Sequence, residues 1–291
     1  MIYVFPKLSK INYGFIRFSG GGLGNLLFPF ARAILFAKKN GFQMINPTWL
    51  TLKLGPIIRN EKDKRFYGNL FNPISESVVG GEKLFLLMVK KCVPESCLID
   101  NELKYVDDVI VTFEGLGNYF DDIIGDYSYI RSVFFDVVKK QHLGGLRFDF
   151  TRSISIHVRL GDFNIGNQAT DLSWFIKKIN EIRDYYRDNI KVFIFSDGTD
   201  EELKTLLNIN NTERVFFGSS IADMIAMSQS KVLICSKNST FAWWASYLGR
   251  MPIVWPKDTG TKSIYYDNKN KEKFLDYSEK LDDSFLRMID L

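Results

Sequence analysis

Hydrophobic positions are most regular in the second half of the chain. Past about residue 150, short apolar runs fall at Ser153–Val158, Lys191–Phe195, Arg214–Phe217, Lys231–Cys235 and Pro252–Trp255. Between them lie stretches of helical period at Leu172–Arg187, Glu201–Leu207, Ile221–Ser228 and Thr240–Leu248. Strict alternation of short buried strands with helices predicts a parallel sheet wrapped on both faces. In the first half, Phe15–Phe18 reads as a strand running into Gly20-Gly21-Gly22-Leu23-Gly24-Asn25. A helix over Leu26–Lys39 follows, stopped by Asn40-Gly41, with a strand at Phe42–Ile45. From about 50 to 105 glycine, proline and charge interrupt every apolar run, and only a helix near Lys83–Lys91 is predicted. Val109–Phe113 reads as a strand, Asp121–Val138 as a helix, and the charged, periodic tail Lys271–Leu291 as a final helix whose docking side the pattern leaves open.

The expectation is therefore an α/β protein in two halves, with the boundary near Leu143-Gly144-Gly145: residues 1–145, residues 146–270, and a C-terminal helix over 271–291. A length of 291 residues suits two such halves, and 46% hydrophobic with 25% charged residues is ordinary for a globular protein. The net charge of +4 is mild and the basic doublets are scattered, so no nucleic-acid stripe is expected. Weak attraction to an anionic membrane surface stays open. No stretch approaches the roughly 20 apolar residues of a membrane span, and the N-terminus lacks a signal-peptide pattern. Three cysteines, Cys92, Cys97 and Cys235, give no even framework; a cytoplasmic protein with reduced thiols is expected, peripheral to the inner membrane at most. Two histidines, neither in a ligand spacing, argue against a zinc site.

Candidate chemistry collects where predicted strands end. Ile154–Phe163 (I-S-I-H-V-R-L-G-D-F) releases His157, Arg159 and Asp162 at the carboxyl edge of a sheet, where open α/β folds bind ligands. Arg159 offers a planar fork suited to phosphate, Asp162 can orient it, and His157 can donate a hydrogen bond or accept a proton. A strand end whose Arg–Asp pair closes a turn fits the same residues. Ser196 and Asp197 end the next strand, where Asp197 can accept from a base or ribose, or both residues can cap the following helix. After Cys235, the run Ser236-Lys237-Asn238-Ser239-Thr240 opens a helix whose free N–H groups and hydroxyls make an anion cradle; Trp243 and Trp244 read as packing residues. The Gly20–Gly24 loop lets a ligand approach bare backbone, with Gly22, Gly24 and the Asn25 amide beside a helix N-terminus. Its third fingerprint position is Asn25 instead of glycine and no acidic residue closes the next strand, which excludes a redox dinucleotide site. Asn25 as an ordinary N-cap is the competing reading.

Taken in order, Gly21-Gly22-Leu23-Gly24-Asn25 with Phe28 and Ala31, His157-Val158-Arg159-Leu160-Gly161-Asp162-Phe163, Phe195-Ser196-Asp197 and Asn238-Ser239-Thr240-Phe241-Ala242-Trp243-Trp244 resemble the bacterial α1,2-fucosyltransferases of glycosyltransferase family 11 over residues from about 16 to 256. The resemblance implies a GT-B-type fold of two Rossmann-like domains facing a cleft, residues 1–145 on the acceptor side and 146–270 on the nucleotide-sugar side. It implies GDP-fucose as donor, a galactose-terminated glycan as acceptor, inversion at the anomeric carbon, and no metal or other cofactor. It further implies Arg159 as the clamp on the β-phosphate, Asp162 as its orienter, His157 as a proton acceptor and Asn25 as a contact for acceptor or fucose. Gly22, Gly24, Ser196, Asp197, Asn238, Ser239 and Thr240 would line the donor site. Two positions depart from the family: Leu160 stands where a second arginine is usual, and Gly198 where a second aspartate is common. A transferase for another nucleotide sugar, or a silent nucleotide-sugar or glycan binder, would share most of these residues.

Overall fold

Tyr3, Val4, Phe5 and Pro6 form β1 (Tyr3–Pro6), buried along its whole length because it lies inside a parallel sheet covered on both faces. The computed structural model describes residues 1–52, 55–58, 63–98, 108–161, 169–260 and 269–291. By internal contacts the chain forms two units, one of Met1–Ile57 with Lys64–Lys140, the other of Ile58–Asp63 with Gln141–Leu291.

In the first unit, β1 is followed by a hairpin, β2 (Ile11–Asn12) and β3 (Arg17–Phe18), then α1 (Leu23–Asn40) and β4 (Gln43–Met44). Next come β5 (Thr51–Leu52), α2 (Gly55–Ile58), α3 (Gly80–Val89), β6 (Lys91–Pro94), β7 (Val109–Phe113) and α4 (Tyr127–Val137). The main sheet runs β4-β1-β7-β6, all parallel, while β2, β3 and β5 make a separate small sheet. This corrects the expected opening. The strand joined to β4 across α1 is β1, not Phe15–Phe18: Pro6 ends β1 and the hairpin is inserted before the helix. The helix read near Lys83–Lys91 runs from Gly80 to Val89, and Lys91–Pro94 pairs with β7 instead. The helix read from Asp121 starts at Tyr127, after two short 3-10 turns. Helix α1 is apolar on most faces and stops at Gly41 in the left-handed conformation, φ 67°, that glycine favours.

The second unit contains β8 (Ser153–Val158), α5 (Leu172–Tyr186), β9 (Lys191–Ser196), α6 (Lys204–Leu207), β10 (Thr212–Arg214), α7 (Ser220–Met227), β11 (Val232–Cys235), α8 (Thr240–Gly249), β12 (Ile253–Pro256), β13 (Glu272–Leu275) and α9 (Asp283–Ile289). Its sheet is wholly parallel in the order β10-β9-β8-β11-β12-β13. Residues alternate across it as the pleat requires. Ile154, Ile156 and Val158 enter a core with Phe175 and Ile179 of α5 and Phe285 of α9. The tail is not one helix over 271–291. Glu272–Leu275 extends the sheet beside β12, and only Asp283–Ile289 is helical, capped by Asp282, which accepts from Phe285 N at 2.9 Å. Leu281, Phe285, Leu286 and Ile289 then dock on the second unit's core. Gly145 packs against Ala226 so closely that a Cβ would stand 2.8 Å from the alanine methyl, so this stretch belongs to the body of the unit. All three cysteines are free, Cys92 and Cys97 exposed and Cys235 buried. Among the described residues no helix is long and apolar enough to cross a membrane.

Candidate functional site

Numbered from β8, the second unit's strand order is 3-2-1-4-5-6, the doubly wound pattern in which the chain turns back at the first strand. Loops leaving the two strands at that reversal diverge to opposite faces and leave a crevice at their carboxyl ends. Those two strands are β8 and β11, the ones that release Arg159 and the Ser236–Ser239 run.

Both loops are tied to the sheet by side-chain bonds. Ser236, fully buried, accepts from Arg159 N at 2.8 Å while its own N–H donates to His157 O at 2.9 Å. Asp197, at the end of β9, accepts from Leu160 N at 2.9 Å and Gly161 N at 3.3 Å, and its Oδ2 lies 3.1 Å from Arg159 Nη1. Asp162, expected as the orienter of Arg159, lies outside the described residues. Lys237 N donates to Thr170 Oγ1 at 3.0 Å, and Lys237 Nζ meets Asp258 at 2.7 Å.

Ser239 caps α8, its hydroxyl accepting from Ala242 N at 3.4 Å, so Thr240 opens a ten-residue helix with its first N–H groups toward the strand ends. His157 Nδ1 stands 3.2 Å from the same hydroxyl and its ring packs on Phe241 at 5.3 Å. Burial pushes the imidazole from 6.5 down to about 4, with Asp197 opposing and Arg159 reinforcing the fall. The ring is therefore neutral near pH 7 and links β8 to the start of α8. Asn238 adopts φ +55° and accepts from Gly260 N at 2.8 Å, so it fixes the neighbouring loop.

Helix α6 has Leu203 at its N-cap and no side-chain cap bond, so neither Ser196 nor Asp197 caps it. In the turn before it Thr199 N donates to Glu202 Oε2 at 2.7 Å and Glu202 N to Thr199 Oγ1 at 3.2 Å. Ser196 Oγ instead accepts from Gly198 N at 3.0 Å, and Arg214 Nη2 donates to the carbonyls of Ser196 and Gly198.

The two departures noted in the sequence are neighbours. Leu160 is 5% exposed and belongs to the same core as Ile156 and Val158, so Arg159 and Leu160 point to opposite sides of the strand exit. A Cβ on Gly198 would stand 2.6 Å from Leu160 Cδ1. Trp243 and Trp244 are buried, as packing residues should be.

In the first unit α1 begins at Leu23, so Gly22 is its N-cap, Gly24 and Asn25 lie in its first turn, and the reading of Asn25 as N-cap does not hold. Pro29, four residues on, has no N–H to donate to the Asn25 carbonyl. The Asn25 side chain covers Gly21, where a Cβ would lie 2.7 Å from Nδ2.

The structure thus brings His157, Arg159, Ser196, Asp197, Ser239 and Thr240 to one sheet edge, and leaves Gly22, Gly24 and Asn25 in the other unit. Sequence reasoning missed Ser236 and Gly161 as site residues, although both lie inside the quoted motifs. A small residue directly after a buried strand was the available signal. Among the described residues no group of three or more His, Cys, Asp or Glu could hold a metal ion.

Residues 116–280 match the family described as glycosyl transferase family 11. No curated protein matches the chain. Among solved structures, the fucosyltransferase NodZ from Bradyrhizobium is similar at 15% identity and TM-score 0.56, over 90% of this chain and 96% of that one. NodZ alpha-1,6-fucosyltransferase co-crystallized with GDP gives 16% and 0.55, over 89% and 96%. A mutant of Arabidopsis thaliana FUT1 in complex with GDP gives 13% and 0.52, over 90% of this chain and 72% of that one. At such identities the likeness establishes the fold, GT-B-type with two α/β units. More than half of the sequence matches the family and the strand-end motifs fall within that match, so the chain belongs to glycosyl transferase family 11.

Proposed function

We propose that this protein is an inverting, metal-independent fucosyltransferase that moves fucose from GDP-fucose to a galactoside hydroxyl in α1,2 linkage. Residues 146–270 would bind the nucleotide sugar and residues 1–145 the acceptor, with Gly22, Gly24 and Asn25 orienting acceptor or fucose. One observation carries the reading: a guanidinium and a capped helix N-terminus flank the chain reversal of a doubly wound sheet, each held by side-chain bonds. The GDP and GDP-fucose named for the NodZ structures support the donor class, and the motif resemblance supports the linkage.

Breaking the fucosyl–phosphate bond develops negative charge on the β-phosphate while the sugar becomes oxocarbenium-like. Donors fixed beforehand around that phosphate stabilise the transition state more than the ground state. Arg159 supplies charge and a planar fork, and Ser239, Thr240 and the α8 terminus supply dipoles. His157, neutral and bonded to Ser239, holds this cap in place, so proton removal from the acceptor falls to another group. Leu160 is accounted for by core packing, which removes the reason to read it as the mark of a silent binder. Exposed unpaired thiols at Cys92 and Cys97 support a cytoplasmic setting.

The test is incubation with GDP-fucose and a panel of galactosides, with product linkage read by NMR. An α1,2-fucosylated galactoside is expected. Transfer from a UDP- or ADP-sugar in preference, or an α1,6 product, would overturn the donor or the linkage, and no turnover with any donor would overturn the enzyme reading.

A further inference from the structure

Three groups of the β8 exit converge on one carboxylate of the neighbouring strand. Asp197 Oδ2 faces Arg159 Nη1 at 3.1 Å, and Oδ1 accepts from the successive N–H groups of Leu160 and Gly161. The Asp197 side chain is 13% exposed, so this is not a solvated rim pair. The arrangement depends on residue 161 having no side chain: a Cβ there would stand 2.7 Å from Oδ2. The loop presenting Asp197 is itself braced by Ser196, by Arg214 across two carbonyls, and by the Arg214–Asp200 ion pair. A carboxylate aimed in this way at its own chain is poorly placed to read a base or a ribose.

We infer that Asp197 is the positioning residue for Arg159, acting through the guanidinium and the 159–161 backbone and not by contact with the nucleotide. The inference rests on the proposed role of Arg159 as phosphate clamp. An arginine carries considerable rotamer freedom; the tie of Nη1 to Asp197 removes part of it and fixes the direction from which the guanidinium can meet a phosphate oxygen. The benefit is preorganisation, felt where charge develops.

A kinetic cycle of Arg159→Ala, Asp197→Asn and the double variant tests this, together with binding of GMP, which lacks the β-phosphate. Arg159→Ala should lower kcat by about 10²–10³-fold and Asp197→Asn by roughly 10–10²-fold. The double variant should be no slower than Arg159→Ala alone, because nothing remains to position. Gly161→Ala, which displaces the carboxylate without altering any charge, should reproduce the Asp197→Asn effect and likewise vanish in the Arg159→Ala background. GMP affinity should stay within about threefold of the native protein in Asp197→Asn, the limit of effects that do not involve direct contact. Losses that multiply in the double variant, or a collapse of GMP binding, would overturn the positioning role while leaving the clamp intact. Unchanged kcat in Arg159→Ala would overturn the clamp and the positioning role together.

Discussion

Leu160→Arg restores the residue usual in the family at that position, and the packing here says the protein will not tolerate it. Leu160 is 5% exposed among Ile156, Val158 and the α5 side chains, with Gly198 directly against it. Removing a buried leucine costs about 2–5 kcal/mol. The longer arginine adds a guanidinium to an apolar layer, where an unpaired charge is costly. A loss of about 3–5 kcal/mol is expected, a large fraction of the stability of an ordinary domain. Urea unfolding followed by tryptophan fluorescence suits the question: Trp174, Trp243, Trp244 and Trp255 are all buried in the second unit. With a urea m-value near 2 kcal/mol/M, the midpoint should fall by about 2 M. Leu160→Met, which conserves volume, should lose under about 1.5 kcal/mol. An arginine variant that unfolds at the native midpoint and transfers fucose faster would refute the packing argument and place residue 160 on the nucleotide side.

Three further outcomes are expected. His157 has a folded pKa of about 4 against 6.5 in the unfolded chain, so the unfolded state binds the extra proton; its contribution to stability should be complete above about pH 6.5, fall between 6.5 and 4, and disappear from the stability–pH curve in His157→Asn. Lys83, pushed by burial down to about 8 and donating to Thr48 Oγ1 at 2.9 Å, should destabilise the first unit at neutral pH; Lys83→Met should raise stability by on the order of 1 kcal/mol and remove a rise in stability between pH 8 and 10.5. EDTA should leave the initial rate of transfer unchanged; a rate abolished by chelation and restored by Mg²⁺ or Mn²⁺ would contradict charge neutralisation by Arg159 and a helix terminus.

Legibility followed burial. Strands β8, β9, β11 and β12 are covered on both faces; β9, β11 and β12 read as short apolar runs and β8 as Ile154, Ile156 and Val158 alternating with Ser155 and His157, and their order with the helices was plain. Strand β1 is equally buried, but Pro6 disguised it and the motif-bearing Phe15–Phe18 took its place. The tail misled for a different reason: β13 exists because β12 offers an edge, a long-range pairing that local period does not report. In the site, Arg159, His157 and Ser239 were legible because strand ends and helix starts carry sequence marks. The tie from Asp197 to Arg159 was not, because it depends on the β8–β9 register that sets Val158 beside Ser196. Local sequence offered Asp162, which lies outside the described residues.

The central place of β8 also bears on how the second unit comes into being. It is the first of its six strands to be synthesised, yet both its neighbours arrive later, and the Arg159–Ser236 bond joins residues 77 positions apart. Parallel pairings of that separation close large loops before any contact compensates, which makes folding slow and leaves apolar strands uncovered meanwhile. The face of β8 that ends under Phe285 and Ile289 stays open until α9 has emerged. A nascent chain therefore carries Arg159 long before its bond to Ser236 can form, and chaperone demand during synthesis should fall on this half of the protein.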